Sequence, residues 1–149
     1  MQTILSVLIL KICNAYLTKP YKYNIINFKG EHMKLTIIGS RSLNFNFEKH
    51  IPPGVDTIVS GGASGIDTLA EKYADEHNID KIIIKPNYRK FGKYAPIKRN
   101  KSIIELADFV VAFWDGQSSG TKFSIDYAKS IGKKVIVHKI TPINTKGEL

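Results

Sequence analysis

The sequence predicts an α/β fold, a three-layer sandwich whose mostly parallel sheet of about five strands is covered by helices on both faces. Two observations lead there. Short, β-branched apolar runs alternate with stretches in which apolar residues recur at three- and four-residue spacing. Three of those runs end in loops built from small and polar residues: Gly39, Ser40, Arg41 and Ser42; then Ser60, Gly61, Gly62, Ala63, Ser64 and Gly65; then Asp115 through Ser119, Gly120 and Thr121. In a parallel sheet all three loops share the carboxyl edge, where such sheets take their ligands.

Residues 1–32 carry an apolar run at 4–10, too short for a bilayer span of about 20 residues. No basic residue precedes that run, as one would in a secretory signal. Residues 1–32 are expected to form an N-terminal extension outside the core; an amphipathic segment for a partner or a membrane surface is the alternative. From Met33 the pattern is regular. Leu35, Ile37 and Ile38 mark a first strand, Thr57, Ile58 and Val59 a second, and residues 81–85 a third stopped by Pro86. A helix is expected from Ile66 to about His77, with Asn78 as its cap. A polar stretch over 87–95 leads to a second helix carrying Ile97, Ile103, Ile104, Leu106 and Ala107. Phe109 to Phe113 reads as the fourth strand. Phe123, Ile125, Ala128 and Ile131 read as a helix stopped by Gly132, and residues 134–138 as the last strand. The domain is expected over 33–140, with a frayed polar tail at 141–149.

The stretch from Thr57 to Asp67 organises the rest: strand, glycine-rich turn, helix. Glycines let backbone N–H groups face a ligand without a Cβ between, and a helix's first turn offers unpaired N–H groups at a positive dipole end. A tight turn without a ligand is the plainer alternative. On the phosphate reading, Gly62→Val is expected to abolish ligand binding while barely changing stability.

The chain has 149 residues, 43% of them hydrophobic, which suits one domain with a true core. A net charge of +9 favours an anionic partner. With a single cysteine, Cys13, neither a disulfide framework nor a cysteine-based zinc site can form within one chain. The four histidines are never at metal spacing, and a reducing, cytoplasmic setting is expected. Between Lys81 and Lys101 stand eight basic residues and no acidic one. Arg99 and Asn100 are the best candidates among these neighbours, since a guanidinium grips phosphate bidentately and an amide can read a base or ribose edge. Tyr88, Phe91, Tyr94 and Trp114 are placed either to stack on a base or to pack.

Taken in order, these motifs resemble the SLOG superfamily of Rossmann-like nucleotide-binding domains: Gly39-Ser-Arg41, the 60–67 loop ending in Ile66 and Asp67, the Arg99-Asn100 pair, and the segment from Ala112 through Trp114 and Asp115 to Thr121. The superfamily includes DprA/Smf and the LOG enzymes, and the pattern is most similar to its small YspA-like (YpsA-related) branch. LOG enzymes carry a PGGxGTxxE loop with a glutamate that takes part in N-glycosidic hydrolysis. Here Gly120, Thr121, Lys122, Phe123 and Ser124 stand there, without that glutamate. The resemblance implies a binder of nucleotides or their derivatives, possessing no certain cofactor, with a phosphorylated small molecule as partner.

Three functions follow as expectations. The first is a sensor-type module holding phosphate on residues 60–67 and Arg99, with Gly39, Ser40 and Arg41 below and Ser119, Gly120 and Thr121 at a second helix start. Asp67 would cap its helix or accept from a ribose hydroxyl. The second is a nucleotide hydrolase or N-glycosidase using Asp67 or Asp115 as base. The third is DprA-like binding of single-stranded DNA through the basic stretch and its aromatics. A homo-oligomer, a dimer first, is expected from exposed apolar residues.

Overall fold

The computed structural model describes residues 32–43 and 46–141. Residues 1–31 and 142–149, and with them most of the expected extension and tail, lie outside the described residues. The chain builds a five-stranded sheet in the order β3-β2-β1-β4-β5, and every strand pair is parallel. The strands are β1 (Met33–Gly39), β2 (Val55–Ser60), β3 (Asp80–Ile83), β4 (Phe109–Trp114) and β5 (Lys134–Lys139). The helices are α1 (Ile66–Glu76), α2 (Tyr88–Phe91, a single turn), α3 (Ala95–Leu106) and α4 (Ser119–Ser130).

Alternation along the strands creates two cores. Leu35, Ile37, Phe109, Val111 and Phe113 point to one face, where they pack with Leu43, Phe47, Ile51 and α1 residues Ile66, Ala70 and Ala74. Ile38, Val110 and Ala112 point to the other, against Ile103 and Ile104 of α3 and Ile125 and Ala128 of α4. A sheet buried on both faces explains why its central strands read as continuous apolar runs. Thr36 is a polar exception: fully buried, it donates its hydroxyl to the Val59 carbonyl at 2.7 Å. The chain runs outward from β1 through β2 to β3, then α3 carries it back to the opposite side of β1. The order therefore reverses between β1 and β4, and the crevice lies there. No helix among the described residues is long and apolar enough to cross a membrane.

Several local expectations are corrected. The polar stretch over 87–95 is helical, because the Asn87 side chain accepts from the Lys90 N–H and starts α2, which runs through a 3-10 turn (Gly92–Tyr94) into α3. Ile97, Leu106 and Ile131 do not join the core; they are 42%, 38% and 40% exposed. The buried side of α3 carries Ala95, Arg99 and Ile103 at four-residue steps, and Ile97 stands two positions off that row.

His50, Phe113 and His138 form a ring cluster at one end of the first core, with the two imidazole centroids 4.2 Å apart. Burial, then the charges of His138 and Lys49, hold the His50 imidazole down from 6.5 to about 4. Burial lowers His138 as well. Both bases stay neutral in the fold while the unfolded chain takes up protons below 6.5, so this contribution to stability is present above 6.5 and lost as pH falls toward 4. Asp67, whose carboxyl burial raises, acts in the opposite sense from its ordinary 3.8 upward. Thermal melts should therefore show a midpoint falling by several degrees between pH 7 and pH 5, and His50→Phe should flatten that slope. A midpoint independent of pH across this window would show that the imidazoles are not held neutral.

Candidate functional site

A cavity of about 510 Å³ opens at the carboxyl edge of the sheet, where β1 and β4 part. Gly39, Ser40 and Arg41 line it from the end of β1, Ala63 from the loop after β2 and Asp67 from the first turn of α1. Arg99 and Asn100 line it from α3; Asp115, Gly120 and Thr121 line it from the loop after β4 and the start of α4. Ten of the sixteen residues expected from sequence thus meet at one cleft. Ser60, Gly61, Gly62, Ser64, Gly65 and Ser119 do not line it.

Arg99 holds the floor and is only 9% exposed. One guanidinium nitrogen, Nη1, donates to the Gly61 carbonyl and lies 4.0 Å from the Asp67 carboxylate, while Nε donates to Asn100 Oδ1 at 2.8 Å. Asn100 passes the link on, its Nδ2 donating to the Ser124 hydroxyl at 3.0 Å, which in turn donates to the Gly120 carbonyl. One chain of polar contacts therefore ties the β2 loop, α3 and the first turn of α4. Burial is the largest influence on both charged partners: it pushes the Asp67 carboxyl up against the opposing pull of the Ala63 N–H and Arg99, and pushes the Arg99 guanidinium down against the pull of Asp67.

The glycine loop is organised mainly by its own side chains. Ala63 N–H donates to Asp67 Oδ2 at 3.2 Å, and the Gly61 N–H also favours that carboxylate. Gly62 N–H donates to Ser60 Oγ at 3.1 Å, and Ser60 Oγ donates to Glu71 at 2.7 Å. A Cβ on Gly61 would run into the Arg99 side chain, with Cζ at 2.7 Å, so this glycine exists to let the guanidinium lie on the backbone. Gly62 has φ +65°, and a Cβ there would face Ile83 of β3, 3.2 Å away. That corrects the expectation for Gly62→Val: its side chain would stand outside the cleft, and the left-handed backbone makes the substitution costly to the fold.

On the other wall, Asp115 Oδ1 accepts the Gln117 and Ser118 N–H groups at 2.9 and 2.8 Å, and Oδ2 accepts the Ser42 hydroxyl at 3.2 Å. Those contacts, the Ser118 N–H first, hold its carboxyl below the usual range. Its own N–H donates to the buried Ser40 hydroxyl at 3.2 Å, so Asp115 laces the β1 and β4 loops together. Ser118 caps α4, its Oγ accepting from the Thr121 N–H. The Ser119 and Gly120 N–H groups belong to the first turn, which finds no carbonyl inside its own helix.

Ser42 and Ser118, which belong to the loops expected at this edge, also line the cavity, and so do Ile38, Pro96, Ile103 and Ser124, which the sequence reading did not place there. Signals for some were there. Pro96 and Ile103 lie three before and four after Arg99, on one helical face, and Ser118 precedes Thr121 at capping distance. The fold and this geometry define an α/β domain with a ligand-sized polar cleft at its switch point. No family model, curated protein or solved structure significantly matches the chain.

Gly62→Val should cost about 1–3 kcal/mol of stability through its left-handed backbone. Gly62→Asn, which tolerates that region, should lose less. Denaturant titration of both variants checks this; equal stability of valine variant and parent would mean that the loop does not keep its positive φ.

Proposed function

We propose that this chain is a SLOG-like, sensor-type domain that binds a nucleotide or nucleotide derivative in the cleft between β1 and β4. One observation carries the reading: a cavity of about 510 Å³ sits at the switch point, with the first turn of α4, the guanidinium of Arg99 and the exposed Arg41 around it. The volume lies in the range of small-ligand sites. The ligand's phosphate meets the Gly120 N–H group and the Thr121 hydroxyl, which line the cleft at the start of α4, where the helix dipole favours an anion. Arg41 pairs with it directly, and Arg99 offsets its charge from below. Loop 60–67 contributes by holding Asp67 and Arg99 in position and by presenting Ala63 to the ligand.

Arg99→Ala is a poor probe of this site, since it removes the partner of the buried Asp67 and weakens the fold. Arg41 is exposed, so Arg41→Ala should leave thermal stability unchanged while weakening nucleotide binding by about 1.5–3 kcal/mol. Calorimetry with a nucleotide panel measures it. Full retention of affinity in a folded Arg41→Ala protein, or no binding of any nucleotide by the parent, overturns the site.

A hydrolase is the second reading, favoured by one observation, the buried and upward-shifted Asp67 carboxyl at the cavity wall. Release of free base from nucleoside monophosphates, abolished by Asp67→Asn, would select it over binding alone. We also propose self-association through Ile97, Leu106, Ile131 and Val137, which are 36% exposed or more. Light scattering at tens of micromolar should give a mass of two chains, and a single-chain mass removes that proposal.

A further inference from the structure

A second cavity, of about 340 Å³, begins just past the end of β3, at Ile84 and Lys85, and runs beside α3 as far as Ser102 and Glu105. Lys85, Lys98 and Lys101 line it together with Asn87 and Phe91. Its one acidic neighbour, Glu105, accepts the Tyr127 hydroxyl. None of the three lysines forms a salt bridge among the described residues. Lys98 and Lys101 lie instead over aromatic rings, 6.0 Å from the Phe91 centroid and 4.9 Å from that of Tyr127. The groove is therefore strongly positive, and its charge is not cancelled locally.

Arg99 lines both cavities. Its guanidinium lies on Gly61, directly after β2, and β2 is the strand between β1 and β3. Arg99 therefore stands between two cavities, the switch-point cleft at β4 and β1 and the lysine groove beside β3 and α3. From β1 to β3 is two strand spacings, about 10 Å. A single phosphate cannot reach both.

From these two cavities and the Arg99 they share we infer that the ligand is an extended polyanion, a nucleoside polyphosphate or a dinucleotide, whose anionic chain leaves the cleft, passes Arg99 and ends among Lys85, Lys98 and Lys101. The inference rests on the nucleotide-binding reading and sharpens it by excluding a nucleoside monophosphate as the full ligand. It also gives the lysines after β3 a use that a solvated face would not have.

The test is calorimetry at constant physiological salt with AMP, ATP and diadenosine tetraphosphate, on the parent, on Lys98→Glu/Lys101→Glu, and on Lys129→Glu/Lys134→Glu, two exposed lysines that line neither cavity, as a charge-matched control. The two longer ligands should bind the parent at least roughly tenfold tighter than AMP, the scale of one additional charge-assisted contact. Lys98→Glu/Lys101→Glu should erase that advantage and leave AMP affinity unchanged; the control should preserve the advantage. Equal affinity for AMP and ATP overturns the inference while leaving the nucleotide cleft standing. So does an advantage lost equally in the control, which would mean net charge alone. Failure of all three nucleotides to bind the parent overturns the nucleotide reading itself, and the inference with it. Thermal melts of each variant confirm that the comparison is between folded proteins.

Discussion

The contact on which the cleft depends is the burial of Arg99 against the Gly61 carbonyl and the Asp67 carboxylate. A buried charge is tolerated only when paired and hydrogen-bonded. Here each group meets part of the other's need: Arg99 donates to a backbone carbonyl and to Asn100, and Asp67 accepts from the loop amide of Ala63. Remove either and the other is stranded in a site from which water is largely excluded. The consequence is positional. α3 cannot slide along the sheet without dragging Arg99 off Gly61, and through Asn100 and Ser124 the same constraint fixes the start of α4. Three separate elements are thereby held at the mutual distances that make a cavity.

That constraint also explains the composition of the loops. Gly61 is small because a guanidinium lies on it, and Gly39 is small because Ile66 packs there, its Cβ 2.7 Å from where a glycine Cβ would be. These glycines allow close approach between elements. They serve the ligand only at second hand, by letting α1 and α3 come near enough to the sheet edge to wall the cleft.

The fold was legible because its signals are local and repeated. The short apolar runs at Leu35 to Ile38 and Phe109 to Phe113, and helical spacing in α1, needed no knowledge of what they pack against. Convergence of the three loops was legible too, since a parallel sheet places all strand ends on one edge. What stayed hidden was direction. Nothing in the string around Gly62 says that its missing Cβ faces Ile83 and not the cleft, or that the amides of the 60–67 loop turn to Asp67 and Ser60. Those outcomes depend on φ values and on a partner, Arg99, that arrives from 38 residues away. α2 was missed for a different reason: one turn begun by Asn87 is too short to show a period.

The two carboxylates at the cleft show how a positive edge can contain acids without losing its sign. Asp115 accepts two backbone N–H groups and a serine hydroxyl, and Asp67 accepts a loop amide with the Arg99 guanidinium 4.0 Å away. A carboxylate whose lone pairs already point at donors projects little negative potential toward an incoming anion. Arg41, Arg99 and the lysines beside β3 and α3 therefore set the field there, with the α4 dipole adding to it. The same contacts bear on chemistry. A general base needs a lone pair aimed at the proton it takes. Asp115 has both carboxylate oxygens engaged, by its own loop and by Ser42, whereas Asp67 engages the Ala63 N–H and lies beside Arg99 through one oxygen, Oδ2. A binding site asks of the Asp67 and Arg99 pairing only that it persist, while a base would have to use the other Asp67 oxygen.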